Sequence, residues 1–485
     1  MKKIFLPILV LMPALWAGAT WFTSQNSETT LDEFMAQSNQ QIEEAVPFLT
    51  IEKTLFEKGF IQSSAQSVVT IAPTLFSKEE AEPVQVGFNH RIYHGPVMMT
   101  PNGIKIGTSY ILTTLDQSSL SEEVKSIMTA LFGDAEPFVS GVTTGLREMI
   151  DTDFIIAPFS INAEQISELT GNPVGDEELE LSFAGFSGDI ASNVQGTKMK
   201  GMMNIGELTV KVRDGATMFD VTMAASTVDM DVDELYKGSL LDGNIMLTIP
   251  GILFSDGKGS SATFSEVRMS SSAEQDNGLM NGRGIFDVNK IHIKSSKAGF
   301  DVPDAKLHTS FDISGIERTG IIRLLDLEQE MTRSQIMLLS QDDAGPDALM
   351  SSMHAYYRAG GELLKQGAKI GSVLEISTDT GNAALRLDLS YTDAKRLFAL
   401  KTVRDLAVAT QGNISVNIDK SMLAGTPLAE AISMPIGMGF AVEKADRYES
   451  LILLNKGELL LNGNPVPFLD AVGDQPLDWD SLIGM

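Results

Sequence analysis

The chain has 485 residues, of which 43% are hydrophobic, and its 64 Asp and Glu outnumber its 36 Lys and Arg to give a formal net charge of −28. This balance excludes nucleic acid as a partner, because binding to phosphates needs clustered cations. The chain contains no cysteine, which excludes disulfides, thiol catalysis, Cys-ligated zinc and iron–sulfur clusters. The length allows two or three domains, or one extended β structure that grows by added strands.

An apolar leader opens the chain. Residues 1–3 include two lysines, and residues 4–22 carry no charge, which is close to the ~20 residues with which a helix crosses a bilayer. A signal peptide cleaved near the small residues Ala17 and Ala19 is one interpretation. A retained anchor is the other, and we favour it because two tryptophans lie where an interfacial belt would form. The sequence therefore predicts a transmembrane helix within residues 1–22 that contacts the membrane through residues 4–22.

A juxtamembrane helix is predicted over residues 23–47. Thr30 and Glu33 have the spacing of a capping box. Apolar residues then recur on one helical stripe that ends before Pro47. The stripe fits packing on the body of the protein, and a coiled coil that forms a homodimer stays open.

Residues 48–316 have the pattern of an extended antiparallel β region. Short runs of β-branched and aromatic residues alternate with Gly, Pro, Asn and Asp turns, most regularly from Glu177 to Ile316. Alternating apolar and polar positions predict a sheet with one buried face and one face in water. One helix interrupts the strands, opened by a capping box at Ser119 to Glu122 and closed by Gly133.

The remaining residues predict a mixed helical and strand region, 317–470, packed on the sheet, and an acidic tail, 471–485. The predicted fold class is α+β. It consists of an elongated, twisted, mainly antiparallel β-sheet with packed helices, preceded by one N-terminal transmembrane helix.

Two histidines are candidates for a metal site. His90 and His94 could share one ion at helical spacing, but the residues around them predict a strand, which separates them by about 13 Å at ~3.3 Å per residue. A structural turn around His94 is the better interpretation. No metal site is predicted here.

Three alternating carboxylates, Asp229, Asp231 and Asp233, are similar to the start of a calcium loop. Such a loop needs Gly at its sixth position and Glu at its twelfth, where this chain has Glu234 and Leu240. The three side chains therefore fit a solvated strand edge. The chain also lacks a nucleophile elbow, a Walker loop and a zinc-protease motif, so we predict a protein that is not an enzyme and has no cofactor.

Several short motifs, in the same order along almost the whole chain, are similar to those of a known family. After the apolar segment come a Gly- and Ser-containing stretch from Phe56 to Ser64, a His-Gly-Pro turn, and a hairpin near the C-terminus. On these motifs the chain resembles the YdgA-like proteins of Gram-negative bacteria, a family of unknown function, although Val97 stands where an aromatic residue is commoner. The residues that carry the resemblance, none with a known role, are Gly59, Ser63, Ser64, His94, Gly95, Pro96, Asn462 and Gly463.

The resemblance implies a single-pass protein of the bacterial inner membrane with its C-terminal domain in the periplasm and no established reaction. From the residues we predict a non-enzymatic protein that binds an envelope protein or a lipid through a curved β-sheet surface, in envelope maintenance. Two alternatives stay open. One is a lipid-transfer groove, if the sheet has an open apolar face, and the other is a hydrolase acting on envelope material, for which His94 is the only nominee.

Overall fold

The computed structural model describes residues 19–33, 35–36, 39, 49–71, 83–145, 149–170, 178–214, 217–296, 300–339, 345–424 and 428–479. The chain divides into two compact units. The first unit consists of Met1–Thr217, Ala225–Asp231 and Leu339–Asp342, and the second of Met218–Ala224, Val232–Leu338 and Asp343–Met485.

The first unit combines an N-terminal helix with short antiparallel strands. Its main sheet has the order β1-β2-β3-β6-β7-β8-β11-β12. A second group is β9-β10-β13, and β4 with β5 forms a separate hairpin. The elements are α1 (19–33), β1 (Leu49–Glu57), β2 (Gln62–Ile71), β3 (Val84–His94), β4 (Val97–Thr100), β5 (Gly103–Ile106), β6 (Ser109–Leu115), α2 (Glu122–Phe132), β7 (Phe138–Thr144), β8 (Met149–Ile156), β9 (Phe159–Asn162), α3 (Ala163–Thr170), β10 (Glu178–Phe183), β11 (Phe186–Asn193), β12 (Met199–Ile205) and β13 (Leu208–Asp214).

The second unit is built on one antiparallel series of strands, β14-β16-β17-β18-β19-β20-β21-β22-β24-β25-β26. The strands and helices that follow β13 in the chain are β14 (Thr217–Met223), β15 (Ser226–Tyr236), β16 (Ser239–Ser255), β17 (Ser261–Asp276), β18 (Leu279–Ser295), β19 (Phe300–Glu317), α4 (Arg318–Leu339), α5 (Gly345–Leu363), β20 (Lys369–Thr378), β21 (Gly381–Tyr391), α6 (Val403–Ala409), β22 (Thr410–Asp419), α7 (Lys420–Leu423), α8 (Leu428–Ala431), α9 (Ser433–Gly437), β23 (Val442–Glu443), β24 (Arg447–Asn455), β25 (Glu458–Leu461), β26 (Asn464–Val466) and α10 (Phe468–Val472). The mainly antiparallel pairing follows the alternating pattern of the sequence.

Helix α7 lies at the turn between β20 and β21, whereas helices α4 and α5 pack at one end of the second unit's sheet. Ile316, Tyr391 and Leu400 form a buried cluster there, against which Ile321 of α4 and Leu363 of α5 pack. A neighbouring cluster around Leu241, Ala273 and Met280 also receives α4 side chains. A third buried cluster, formed by Ile249, Val267 and Val288, lies in the middle of the long strands.

The predicted transmembrane helix is corrected by the structure. Residues 1–18 lie outside the described residues, and among the described ones no helix is both long and apolar enough to cross a membrane. Residues 19–22, the described end of the predicted segment, belong to α1, which continues through polar residues such as Ser24 and Glu28 instead of the ~20 apolar residues of a span. Thr20 of this segment is buried. The single-pass inner-membrane location rests on that helix and is corrected with it.

Candidate functional site

Two strands of the first unit carry serine and histidine at the same spacing. Ser63 and Ser67 lie on β2, and His90 and His94 lie on β3, in each case four residues apart and therefore on one face of the strand. Because Ala65 is directly opposite His90, each histidine lies diagonally across from a serine. Ser63 Oγ is 2.8 Å from His94 Nε2, and Ser67 Oγ is 2.8 Å from His90 Nε2. The strands thus form two Ser–His pairs.

Helix α1 packs along the face that carries these pairs. Its buried residues recur every three or four positions, as one helical face requires. The C-terminal part of this buried stripe is apolar and packs on Ala65 and Ile92. The N-terminal part is polar and lies at the turns near Ser63 and His94. The buried stripe consists of Thr20, Ser24, Ser27, Leu31 and Met35.

Two motif glycines lie at crowded turns, Gly95 against α1 and Gly59 within its own turn. Gly95 has a φ of +117°, and a Cβ added there would lie 2.4 Å from Thr20 Oγ1. A Cβ at Gly59 would lie 1.9 Å from Gln62 O. Ser24 Oγ donates to Gly59 O at 2.7 Å. Glycine is therefore needed at both positions for steric reasons.

The Ser63–His94 pair is closed off from solvent and only partly hydrogen-bonded. Each of the two residues is 1% exposed. Gly59 N donates to Ser63 Oγ at 3.0 Å, and Gly59 O lies 3.5 Å from the same hydroxyl. Within the described part of the chain, Nδ1 has no hydrogen-bond partner. Burial, and to a lesser extent the nearby Lys58 ammonium, lowers the pKa of His94 from 6.5 to about 4.

The second pair has both ring nitrogens occupied. His90 Nδ1 lies 2.9 Å from Thr113 Oγ1 of β6, on the side opposite Ser67. Burial lowers the pKa of His90 to about 4 as well. Both histidines are therefore neutral at neutral pH. They act here as hydrogen-bonding groups between strands.

This geometry does not fit a serine hydrolase. A catalytic serine has to reach its substrate, and its histidine base is usually oriented by a third polar group. Ser63 and His94 are both enclosed, and no such group bonds His94 Nδ1 among the described residues. The arrangement instead joins β2, β3 and the turns on which α1 lies. The predicted turn at His94 is present, and the predicted strand from Phe88 to Tyr93 is confirmed.

The other motif residues stabilise turns. Pro96 O accepts from Gly107 N at 3.2 Å. Ser64 Oγ donates to Glu57 at 3.3 Å on the exposed side of β2. Asn462 and Gly463 belong to the second unit, where both have positive φ. Asn462 Oδ1 accepts from Leu451 N at 2.8 Å, and its amide donates to Gly439 O at 3.0 Å.

The metal candidates form no cluster. In the described part of the chain no group of three or more His, Cys, Asp and Glu side chains is arranged to hold a metal ion. His90 and His94 contact different serines, and Asp231 pairs with Lys200 at 2.7 Å on β15 and β12.

A second candidate site is an apolar sheet face in the second unit. Leu247, Met269, Phe286, Thr309, Leu374, Leu385 and Val416 are cross-strand neighbours in one row from β16 to β22. Adjacent rows on the same side are also rich in Leu, Ile and Phe. Large side chains on this side are 36% to 51% exposed. They are Met269, Phe311, Leu374, Ile376, Leu385 and Ile414, and we call them the apolar face.

A groove of about 470 Å³ lies in this side of the sheet. Its walls include Leu247, Met269, Phe286 and Phe311. Gly284 is part of its lining, and a Cβ added at that glycine would meet no atom within 4 Å. The groove therefore exists partly because a β-strand position in its lining has no side chain.

Sequence reasoning missed both Ser–His pairs and left open whether the apolar face is covered. The shared four-residue spacing of the serines and the histidines was a usable signal for the pairs. The alternation of the long strands predicts which residues share a face, but contains no information on what covers it. The predicted buried face is present only in part: Val267 and Val288 are buried there, whereas Met269 on the same side is 46% exposed.

The structure defines a mainly antiparallel β protein. The chain belongs to the family described as "Bacterial protein of unknown function (DUF945)", whose model matches residues 1–468. It is similar to Protein YdgA of Escherichia coli (strain K12), with 21% identity over 190 residues that make up 39% of this chain and 37% of that protein. No solved structure matches the chain. The predicted resemblance to the YdgA-like family is confirmed.

Proposed function

We propose that this protein is a non-enzymatic binding protein that holds the acyl chain of a lipid on the apolar face of its second unit. The observation that carries the proposal is the set of exposed large apolar side chains on one side of β17 to β22. Soluble proteins rarely expose a large contiguous apolar surface, and where they do, it usually marks a binding site.

The dimensions of the face favour an acyl chain as the ligand. The row from Leu247 to Val416 crosses seven strands, and at ~4.8 Å between strands it is roughly 29 Å long. A long, narrow, apolar ligand can follow this row and place one segment in the groove at Gly284. The hydrocarbon would then replace water along the row, at about 0.8 kcal/mol for each buried methylene.

The opposite side of these strands carries polar and charged side chains, which supports placing the ligand on the apolar face. Arg268, Asp287, His308 and Glu375 are cross-strand neighbours there, on the same strands whose alternate residues form the apolar face. An acyl chain has no favourable contact with this charged side. The proposal of a non-enzymatic role is supported by the burial of the Ser63–His94 pair.

The test is the binding of a pyrene-labelled monoacylglycerol to the purified full-length protein, followed by fluorescence. The probe is uncharged, so the net charge of the protein does not oppose its approach. Leu374→Glu places a charge in the row and should weaken binding about tenfold or more, because burying one leucine contributes ~1.5–3 kcal/mol. Leu451→Glu is the matched control, since this leucine is similarly exposed on the polar side of β24.

A second variant separates binding from folding. Gly284→Val should fill the groove and weaken probe binding, while the thermal midpoint stays equal or rises, because valine is a better strand residue than glycine. A wild-type protein that takes up no probe, or a Leu451→Glu protein that loses binding as Leu374→Glu does, would rule out the apolar face as the site.

A further inference from the structure

A polar cleft of about 340 Å³ lies on the other side of the same strands. Strand alternation puts Arg268, Asp287 and His308 on this side and their chain neighbours Met269, Phe286 and Thr309 in the apolar row. The cleft is therefore separate from the proposed acyl-chain site. Its volume is within the range of small-molecule sites.

The carboxylates of the cleft already have partners. Asp287 Oδ1 is 2.6 Å from His308 Nδ1. Glu266 accepts from the Asn289 amide at 2.5 Å, and Glu375 accepts from the Asn382 amide at 3.2 Å. Arg386 also lies 3.6 Å from Glu375. These contacts orient the carboxylates towards other groups, and Arg386 offsets the charge of Glu375.

Two cations of the cleft are left without partners. The side chains of Arg268 and Lys306 line it, and neither forms an ion pair or hydrogen bond with a described residue. Arg268 is directly opposite Asp287 in the sheet, yet that carboxylate bonds His308 instead. These two unpaired cations are therefore the groups of the cleft that can bind an anion.

The chemistry of the lining favours a phosphate group over a carboxylate. A guanidinium donates two parallel hydrogen bonds to a phosphate, and an ammonium binds it as a compact point charge. Arg268 and Lys306 come from β17 and β19, with β18 between them, so the ligand has to satisfy two separate cations. A phosphate with two charges and three terminal oxygens can do this, whereas a carboxylate has one charge.

We propose that this cleft binds the phosphate group of a small molecule or of a lipid headgroup through Arg268 and Lys306. His308 lines the cleft beside them. Its Nδ1 is held by Asp287, so Nε2 is the ring nitrogen that remains for a phosphate oxygen. None of the side chains of the apolar face lines this cleft.

Titration calorimetry of the full-length protein at low ionic strength tests this proposal with two probes. Inorganic phosphate represents a soluble ligand, and phosphatidylcholine vesicles with and without phosphatidic acid represent a lipid. Arg268→Gln and Lys306→Gln should each weaken phosphate binding about tenfold or more, because hydrogen bonds to charged groups contribute ~1.5–3 kcal/mol. Both substitutions remove an unpaired exposed cation and should leave the thermal midpoint unchanged.

Arg283→Gln is the matched control. It also removes one positive charge, from Arg283 of β18. This arginine lies outside the cleft and pairs with Asp312 at 3.2 Å. Binding of inorganic phosphate identifies a soluble source, and binding only to vesicles with phosphatidic acid identifies a lipid source. The proposal fails if the wild type binds neither probe, if the cleft variants bind as the wild type does, or if Arg283→Gln weakens binding equally.

Discussion

At the scale of single residues, Ser63 and Ser64 show how two neighbouring serines come to have different roles. Ser63 points to the side covered by α1 and contacts His94 Nε2 and Gly59 N, whereas Ser64 is on the solvent side next to Glu57. The sequence presents them as one Ser-Ser motif. Only the strand, with its period of two, separates the buried Ser63 from the half-buried Ser64.

Ser63→Ala should destabilise the first unit by about 1–3 kcal/mol, because it leaves a buried imidazole nitrogen and a backbone N–H without their partner. Ser64→Ala is the control and should change the free energy of unfolding by less than about 0.5 kcal/mol, as exposed substitutions usually do. Urea denaturation followed by circular dichroism measures both. Equal effects of the two substitutions would contradict a structural role for the Ser63–His94 pair.

The two buried histidines predict loss of stability in mild acid. Their pKa values are about 4 in the folded protein and about 6.5 in an unfolded chain. The unfolded state therefore binds more protons between these values, so stability is complete above pH 6.5 and falls as the pH decreases towards 4. Between pH 7 and 5 the loss should be about 2 kcal/mol for each histidine.

Urea denaturation at pH 7 and pH 5 measures this loss, in a range where carboxylates stay ionised. His90→Gln and His94→Gln lower the stability at pH 7 but should each reduce its dependence on pH. A wild-type free energy of unfolding that is the same at both values would show that the histidines are not neutral in the folded protein.

At the scale of elements, the sequence predicted the presence of helices better than their ends. The helix closed by Gly133 is confirmed, but its N-cap is Ser121, whose side chain accepts from Val124 N. Ser119 Oγ instead accepts from Gly87 N of β3, a tertiary contact that the local pattern does not contain. The predicted cap at Thr30 is wrong, because α1 begins earlier and Thr30 Oγ1 donates to Asn26 O inside the helix.

Gly95→Ala should loosen α1 from the first unit. The new methyl group would meet Thr20 Oγ1 at 2.4 Å, in a backbone conformation that alanine rarely adopts. Hydrogen exchange of residues 19–33, followed by mass spectrometry, should become faster. Gly103→Ala is a matched control, because Gly103 also has a positive φ, of +98°, but a Cβ there would meet no atom within 4 Å.

The control separates backbone strain from the contact with the helix. Gly103→Ala should leave hydrogen exchange in α1 unchanged, and Thr20→Ala should partly restore protection in the Gly95→Ala protein by removing the closest atom. Similar exchange in both glycine variants would mean that α1 is held independently of the Gly95 turn.

At the scale of the whole molecule, local sequence patterns predicted the antiparallel strands, but the predicted fold class was wrong in its transmembrane helix. Contacts between distant residues decided the candidate sites. Alternation in the long strands was sufficient to predict an antiparallel sheet. The Ser63–His94 contact joins residues 31 positions apart, and the cleft at Arg268 combines residues from four strands. Spacing indicates which residues share a strand face, but not which residues of another strand lie opposite them, because strand register is set by the folded sheet.

The net charge of −28 and the apolar face have opposite effects on association between copies of the chain. Charge repulsion acts over ~10 Å at 0.1 M salt but only ~3 Å at 1 M, whereas burial of apolar surface does not weaken with salt. The average mass of the wild type in sedimentation equilibrium should therefore rise between about 0.1 M and 1 M NaCl. Leu374→Glu should suppress this rise and Leu451→Glu should not, because only Leu374 belongs to the apolar face. A mass that falls with added salt would instead indicate that ion pairs hold the copies together.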